Sequence, residues 1–196
     1  LTAAGIKMSA DVAAQSAERT FYEGIRAEHE RLIKSGILYP EVRIEEIWNK
    51  VIESLRESGS VITETVTDDR LLPYRLAVEY EVRVNPVWPM PEMTDALEGL
   101  SSTGFPIGIV SNAQFFTPFL FDAYTGKSLD AHGFKRELCA FSYQLREAKP
   151  SPRIFTPVLD SLSESYGIVP EETVYVGNDM LNDVSTSKRS GCRAIL

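Results

Sequence analysis

Cysteine and histidine are both scarce, with two of each in 196 residues. Cys139 and Cys192 lack metal-site spacing, which excludes a zinc ribbon or a disulfide framework and fits a reducing cytoplasm. His29 and His132 have no Cys or Asp pattern beside them and read as structural or surface residues. No block of Lys or Arg occurs, and the formal net charge is −8, so nucleic acid is not an expected partner. No apolar run approaches the roughly 20 residues that cross a bilayer. The opening Leu1-Thr2-Ala3-Ala4-Gly5 also lacks the basic and apolar parts of a signal peptide, and no membrane partner is expected. Repeats and low-complexity segments are missing too. What is present is an ordinary globular composition, 43% hydrophobic and 24% charged, long enough for a core with a smaller insertion.

The chain changes texture once. Residues 20–33 read as an amphipathic helix with Phe21, Ile25, Leu32 and Ile33 on one side and Gly36 as its stop. A clearer helix covers 43–57, where Ile44, Ile47, Trp48, Val51, Ile52 and Leu55 keep helical spacing up to Gly59. Residues 60–70 read as a polar loop, and 71–84 as a further helix, with 82–84 open to an extended reading. Asn85-Pro86-Val87-Trp88-Pro89-Met90-Pro91 then forms a stiff connector, because three prolines remove backbone donors and force extended conformations. Trp88 is expected to pin it. Beyond the connector, strand and helix alternate. A helix at 91–103 with Met93, Leu97 and Leu100 inward precedes a strand at 106–110, a helix at 114–124 and a strand at 138–143. Next come a helix opened by Ser151-Pro152, a strand at 173–176, a helix near 182–190 and a strand from Arg193. Ser151 is the expected N-cap, and Pro157 should bend that helix or confine it to a loose first turn. Such alternation implies an α/β fold, a doubly wound parallel (Rossmann-like) sheet covered on both faces, with a helical unit inserted. The expected boundaries are 1–15 as a link, 16–85 as the helical unit and 86–196 as the core.

Three strand ends carry the chemistry. Ser111 and Asn112 offer a hydroxyl, an amide and backbone N–H groups at a turn able to hold phosphate oxygens; read alone, Ser111 is more simply the N-cap of the following helix. Lys149 lies in a stiff Ala148-Lys149-Pro150-Ser151-Pro152 loop and can offer a fixed ammonium, although most lysines are solvated surface charges. Asn178, Asp179 and Asp183 follow Gly177 at the end of an apolar strand. Their oxygens suit Mg²⁺, or they simply build a turn.

Taken in order, Ile109-Val110-Ser111-Asn112, Ala148-Lys149-Pro150-Ser151-Pro152-Arg153-Ile154-Phe155 and Val176-Gly177-Asn178-Asp179-Met180-Leu181-Asn182-Asp183 resemble the second, third and fourth motifs of the haloacid dehalogenase-like hydrolases. The resemblance covers about residues 87–196. It implies that residues 16–85 are the helical cap that many members insert between their first and second motifs. It implies a phosphate-binding role for Ser111 with Asn112 beside it, and pairing of Lys149 with the nucleophilic carboxylate and phosphoryl oxygens. Mg²⁺ would be held by Asp179 and Asp183. The fourth motif departs from the family pattern, with Asn178 where an acid usually follows the glycine. The direct ligand is therefore Asp179 or the Asn178 amide oxygen. The first motif, an Asp-x-Asp-like segment after a strand, has no counterpart in residues 1–196 and is expected upstream of Leu1. The implied function is a Mg²⁺-dependent phosphohydrolase working through an aspartyl-phosphate on a small phosphorylated metabolite. A metal-free 2-haloacid dehalogenase and a non-catalytic binding protein are the alternatives.

Overall fold

The computed structural model describes residues 6–8, 11–59, 61–64 and 69–196. The chain divides into two compact units, Leu1–Gly36 with Val42–Val87, and Ile37–Glu41 with Trp88–Leu196.

The first unit is helical, with α1 (Asp11–Lys34), α2 (Ile44–Glu57) and α3 (Leu72–Val84), plus an antiparallel pair of β1 (Ile6–Met8) and β2 (Val61–Glu64). Helix α1 starts earlier than its apolar stripe, because residues 11–19 include Ala13, Ala14 and Ala17 and no Gly or Pro, a strong helix-forming composition. Phe21 and Leu32 are buried as expected, but Ile33 is half-exposed, being one residue, or about 100°, round the helix from Leu32. Strand β2 replaces part of the expected loop, since Val61, Ile62 and Thr63 are β-branched and favour strand. Of the polar stretch 60–70, residues 60 and 65–68 lie outside the described residues. The open reading of 82–84 resolves as helix. The core is α2 packed between α1 and α3, with Ile47, Trp48, Val51, Ile52 and Leu55 buried. Phe21, Trp48 and Tyr80 form an aromatic cluster with centroids 5.0–5.5 Å apart.

The second unit is α/β. Strand β3 (Ile107–Ser111) pairs in parallel with β4 (Phe134–Phe141), and β5 (Val174–Val176) pairs in parallel with β6 (Arg193–Ile195). The helices are α4 (Met93–Ser102), α5 (Phe119–Thr125), α6 (Ser142–Leu145), α7 (Thr156–Tyr166) and α8 (Thr186–Arg189). Ile154, Phe155, Val158 and Leu162 cover Val110, Leu138 and Ala140 to form its core, with Cys192 beside them. Ser151 caps as expected, its Oγ accepting the Arg153 N–H at 3.3 Å. The first turn there is a 3₁₀ segment, Pro152–Phe155, and Pro157 falls in the first turn of α7, where a missing donor costs nothing.

Several expectations fail here. Helix α4 buries none of its residues and Leu100 is half-exposed; its main neighbour is the turn Asp130–His132 rather than a sheet face. Helix α5 begins at Phe119, after Pro118, because a proline cannot donate inside a helix. Strand β4 stops at Phe141, and Ser142 and Tyr143 turn into α6. Trp88 is 73% exposed and pins nothing. His132 is structural: it is buried, with Nε2 2.8 Å from Thr125 Oγ1. Among the described residues no helix is long and apolar enough to cross a membrane.

Candidate active site

Lys149 is the hub. Its side chain is 10% exposed, and Nζ lies 2.6 Å from Asp183 Oδ1, 2.8 Å from the Tyr175 hydroxyl and 3.3 Å from the Val110 carbonyl oxygen. An ammonium has three protons, and three acceptors meet them. Its backbone is held as tightly. The Lys149 N–H donates to Asn112 Oδ1 at 2.7 Å, and Asn112 Nδ2 donates to the Lys149 carbonyl at 3.1 Å. Asn112 thus ties the end of β3 to the lysine loop, whose Lys149–Pro150 peptide is cis.

Asp183 anchors the other side. It is 5% exposed, with Oδ2 accepting the backbone N–H groups of Asn178 and Asp179, both at 3.0 Å, and Oδ1 accepting from Lys149. Burial alone would push its carboxyl up. The Lys149 ammonium, the Asp179 N–H and the Tyr175 hydroxyl outweigh that and hold it below the ordinary aspartate value. The carboxylate lies against Gly177, where a Cβ would meet Asp183 Cβ at 2.5 Å, so the glycine is required by close approach rather than by its dihedral angles.

The Tyr175 hydroxyl lies 2.8 Å from the Val110 carbonyl oxygen and 3.2 Å from Asp183 Oδ1, either of which can accept its one proton. Burial, with the Asp183 charge and hydrogen bond added, pushes the phenol well above its ordinary value and keeps it neutral. Asp179 takes a different role. Its Oδ1 accepts the N–H groups of Leu181 at 2.8 Å and Asn182 at 2.6 Å, capping a π-helical turn, Met180–Ser185. The residue is exposed, as is Asn178. Ser111 ends β3, half-buried, with Oγ 3.3 Å from the Asn112 carbonyl oxygen. It caps no helix, because α5 starts eight residues later, at Phe119.

The loops thus bring Asn112, Lys149 and Asp183 into direct contact, with Ser111 adjacent in sequence to Asn112. Asn178 and Asp179 touch the cluster through their backbone, not their side chains. Reading the sequence missed Tyr175, because a tyrosine in a short apolar strand reads as core. It also missed Ser142, which is fully buried and accepts the Ala113 N–H at 2.8 Å. Neither had a distinguishing signal in the sequence.

The fit of these residues to Mg²⁺ is uneven. Among the described residues no group of three or more His, Cys, Asp or Glu side chains is arranged to hold a metal. Asp183 has donors on both oxygens. Asp179 and Asn178 present an exposed carboxylate and an exposed amide, a donor set compatible with Mg²⁺, which keeps several waters and takes one or two carboxylates plus phosphate oxygens.

This α/β core gathers a lysine, a tyrosine hydroxyl and a carboxylate at the ends of its strands. Residues 34–196 match the family described as Haloacid dehalogenase-like hydrolase, and the chain belongs to that family. It is 29% identical over 116 residues to a phosphoglycolate phosphatase of Escherichia coli, covering 59% of this chain and 42% of that protein. It is 28% identical over 162 residues to a glyceraldehyde 3-phosphate phosphatase of Methanothermobacter thermautotrophicus, covering 78% of this chain and 68% of that protein. The chain therefore spans about two-fifths of the length of the first relative. Among solved structures it resembles an HAD phosphatase from Thermococcus onnurineus, with a TM-score of 0.50 and 24% identity over 75% of this chain and 57% of that one. It also resembles a 2-haloacid dehalogenase from Pseudomonas syringae pv. Tomato, with a TM-score of 0.50 and 20% identity over 96% of this chain and 68% of that one. At these identities the two structures bear on the fold alone.

Proposed function

We propose that this chain carries the phosphate-binding and charge-neutralising part of a Mg²⁺-dependent phosphohydrolase that acts on a small phosphorylated metabolite. The observation that carries the reading is a largely buried ammonium, Lys149, positioned by residues from two other strand-end loops, Asn112 and Asp183. Phosphoryl transfer depends on positioning and electrostatic neutralisation more than on covalent chemistry supplied by the protein, and a clamped cation serves both. The curated relatives are named as phosphatases of small phosphorylated compounds, which supports the substrate class.

In this reading Ser111 binds a phosphoryl oxygen. Lys149 contributes a proton by giving up its longest contact, the Val110 carbonyl at 3.3 Å. Asp183 positions Lys149 through its Oδ1. Asp179, with Asn178, would hold Mg²⁺ through side-chain oxygens, and the bound ion would supply neutralisation of phosphate charge. The attacking carboxylate of the aspartyl-phosphate would be the family's first-motif aspartate, which has no counterpart in residues 1–196.

The test uses the complete protein with an aryl phosphate. Hydrolysis is expected with Mg²⁺ and lost with a chelator. Lys149→Ala and Asp179→Asn are each expected to lower kcat/KM at least about tenfold, or about 1.4 kcal/mol. Unchanged rates in both variants would overturn the proposal. Chelator-resistant release of halide from a 2-halo acid would replace it with dehalogenation.

A further inference from the structure

The strip Ile37–Glu41 belongs by sequence to the stretch between α1 and α2, yet it packs within the α/β unit. It runs beside the residues just before Lys149. Tyr39 O accepts the Ala148 N–H at 2.8 Å, the Glu41 N–H donates to Arg146 O at 3.0 Å, and Pro40 bridges Glu147 in antiparallel fashion. The Glu41 carbonyl accepts from Arg146 Nε at 3.1 Å. A short strap is thereby stitched onto the lysine loop through backbone groups.

The Glu41 side chain reaches a different loop. Its Oε2 accepts from Ser142 Oγ at 2.8 Å, and its Oε1 accepts from Gln114 Nε2 at 3.1 Å. Ser142 is fully buried, and the same Oγ accepts the Ala113 N–H at 2.8 Å. A hydroxyl has one proton, and Ser142 spends it on the carboxylate, the shorter of its two candidate acceptors; the Ala113 carbonyl is at 3.2 Å. The turn after Ser111 and Asn112 is therefore fixed by Ser142, which is fixed by Glu41, which is fixed along residues 146–148. Asn112 closes the circuit on the Lys149 backbone.

We propose that Glu41 is a positioning residue for the phosphoryl-transfer site. Acting through Ser142 and the 146–148 stretch, it sets the relative placement of Ser111 and Lys149. The kinetic side of this inference rests on the phosphohydrolase reading; the structural side does not.

The experiment compares Glu41→Ala, Glu41→Gln and Ser142→Ala in the complete protein, using amide hydrogen exchange and steady-state kinetics with Mg²⁺ and an aryl phosphate. Glu41→Ala is expected to speed exchange at the Ala113 and Ala148 amides by about tenfold. It should also lower kcat by about tenfold while KM stays within about threefold. Glu41→Gln keeps an oxygen for Ser142, and Gln114 can turn its amide to match, so kcat should recover to within about threefold of wild type. Ser142→Ala should reproduce the loss and carries the comparison if Glu41→Ala fails to fold. Unchanged exchange at both amides overturns the inference, as does an unchanged kcat in an active protein. A wild type that hydrolyses no phosphate defeats the phosphohydrolase reading, and the exchange measurement still decides whether Glu41 places the two loops.

Discussion

The helical unit and the α/β unit are held together by different physics. In the first, Ile47, Val51, Leu55 and Leu72 are at most 1% exposed. Its one buried charged residue among those described, Glu28, is answered within its own helix by Arg31. In the second, Ser142, Ser151, Asp183, Thr186 and Ser187 are buried alongside the apolar core. Apolar burial is non-directional and tolerates repacking. A buried hydroxyl or carboxylate is stable only with a partner at the correct distance and angle. The helical unit is thus specified by shape, whereas the α/β unit is specified by shape and by a hydrogen-bond circuit that is also its proposed site.

The sharpest way to break this contrast is to remove one anchor from each unit. Asp183→Ala leaves Lys149 without its anion in a largely buried setting and orphans two backbone donors. The expected cost is about 3–5 kcal/mol, with hydrolysis lost as well. Leu55→Ala removes a fully buried side chain from the helical unit and is expected to cost about 2–5 kcal/mol. Turnover per folded molecule should persist. Urea unfolding followed by Trp48 fluorescence, paired with kinetics well below the transition, measures both effects. A Leu55→Ala protein that is stable but inactive would erase the distinction.

A smaller effect should follow from Gly177→Ala. The added Cβ would lie 2.5 Å from Asp183 Cβ and Cγ, so the carboxylate must move off its two N–H donors or the strand end must shift. Overpacking of this kind costs about 1–3 kcal/mol, and here the displaced group positions Lys149. Turnover is therefore expected to fall further than a stability change of that size would produce through unfolding. Equal stability and turnover would mean that Asp183 has room the structure does not indicate.

How legible this was in the sequence follows the same division. Helix α2 was readable because its five buried residues keep helical spacing without interruption, and the α/β order was readable from short apolar runs ending in Ser111 and Gly177. Strand β2 was not, since a polar neighbourhood masks three β-branched residues. At the site, Lys149 and Asp183 stood out through local context, a proline-bounded loop and a glycine–carboxylate run. Tyr175, Ser142 and Glu41 did not, because their roles depend on distant partners such as Lys149, 26 positions from Tyr175, and Arg146, 105 positions from Glu41, separations at which local pattern carries no information. Asp179 and Asp183 look alike in sequence. Only geometry separates an exposed cap from a buried anchor.

The same distinction predicts a pH signature, the smallest of these effects. Asp183 is held below the ordinary aspartate value in the folded protein, so the unfolded chain takes up its proton first as pH falls. Its contribution to stability is complete above the unfolded value, about pH 3.9, with a margin of about a unit. That contribution is lost as pH drops towards the folded value. Asp183→Asn removes this term, so its urea midpoint, already lower at neutral pH, should fall less steeply than wild type between about pH 5 and 3. An Asp183→Asn acid limb as steep as that of wild type would mean that the carboxylate gains nothing from its partners, and the assignment of Asp183 to Lys149 would lose its support.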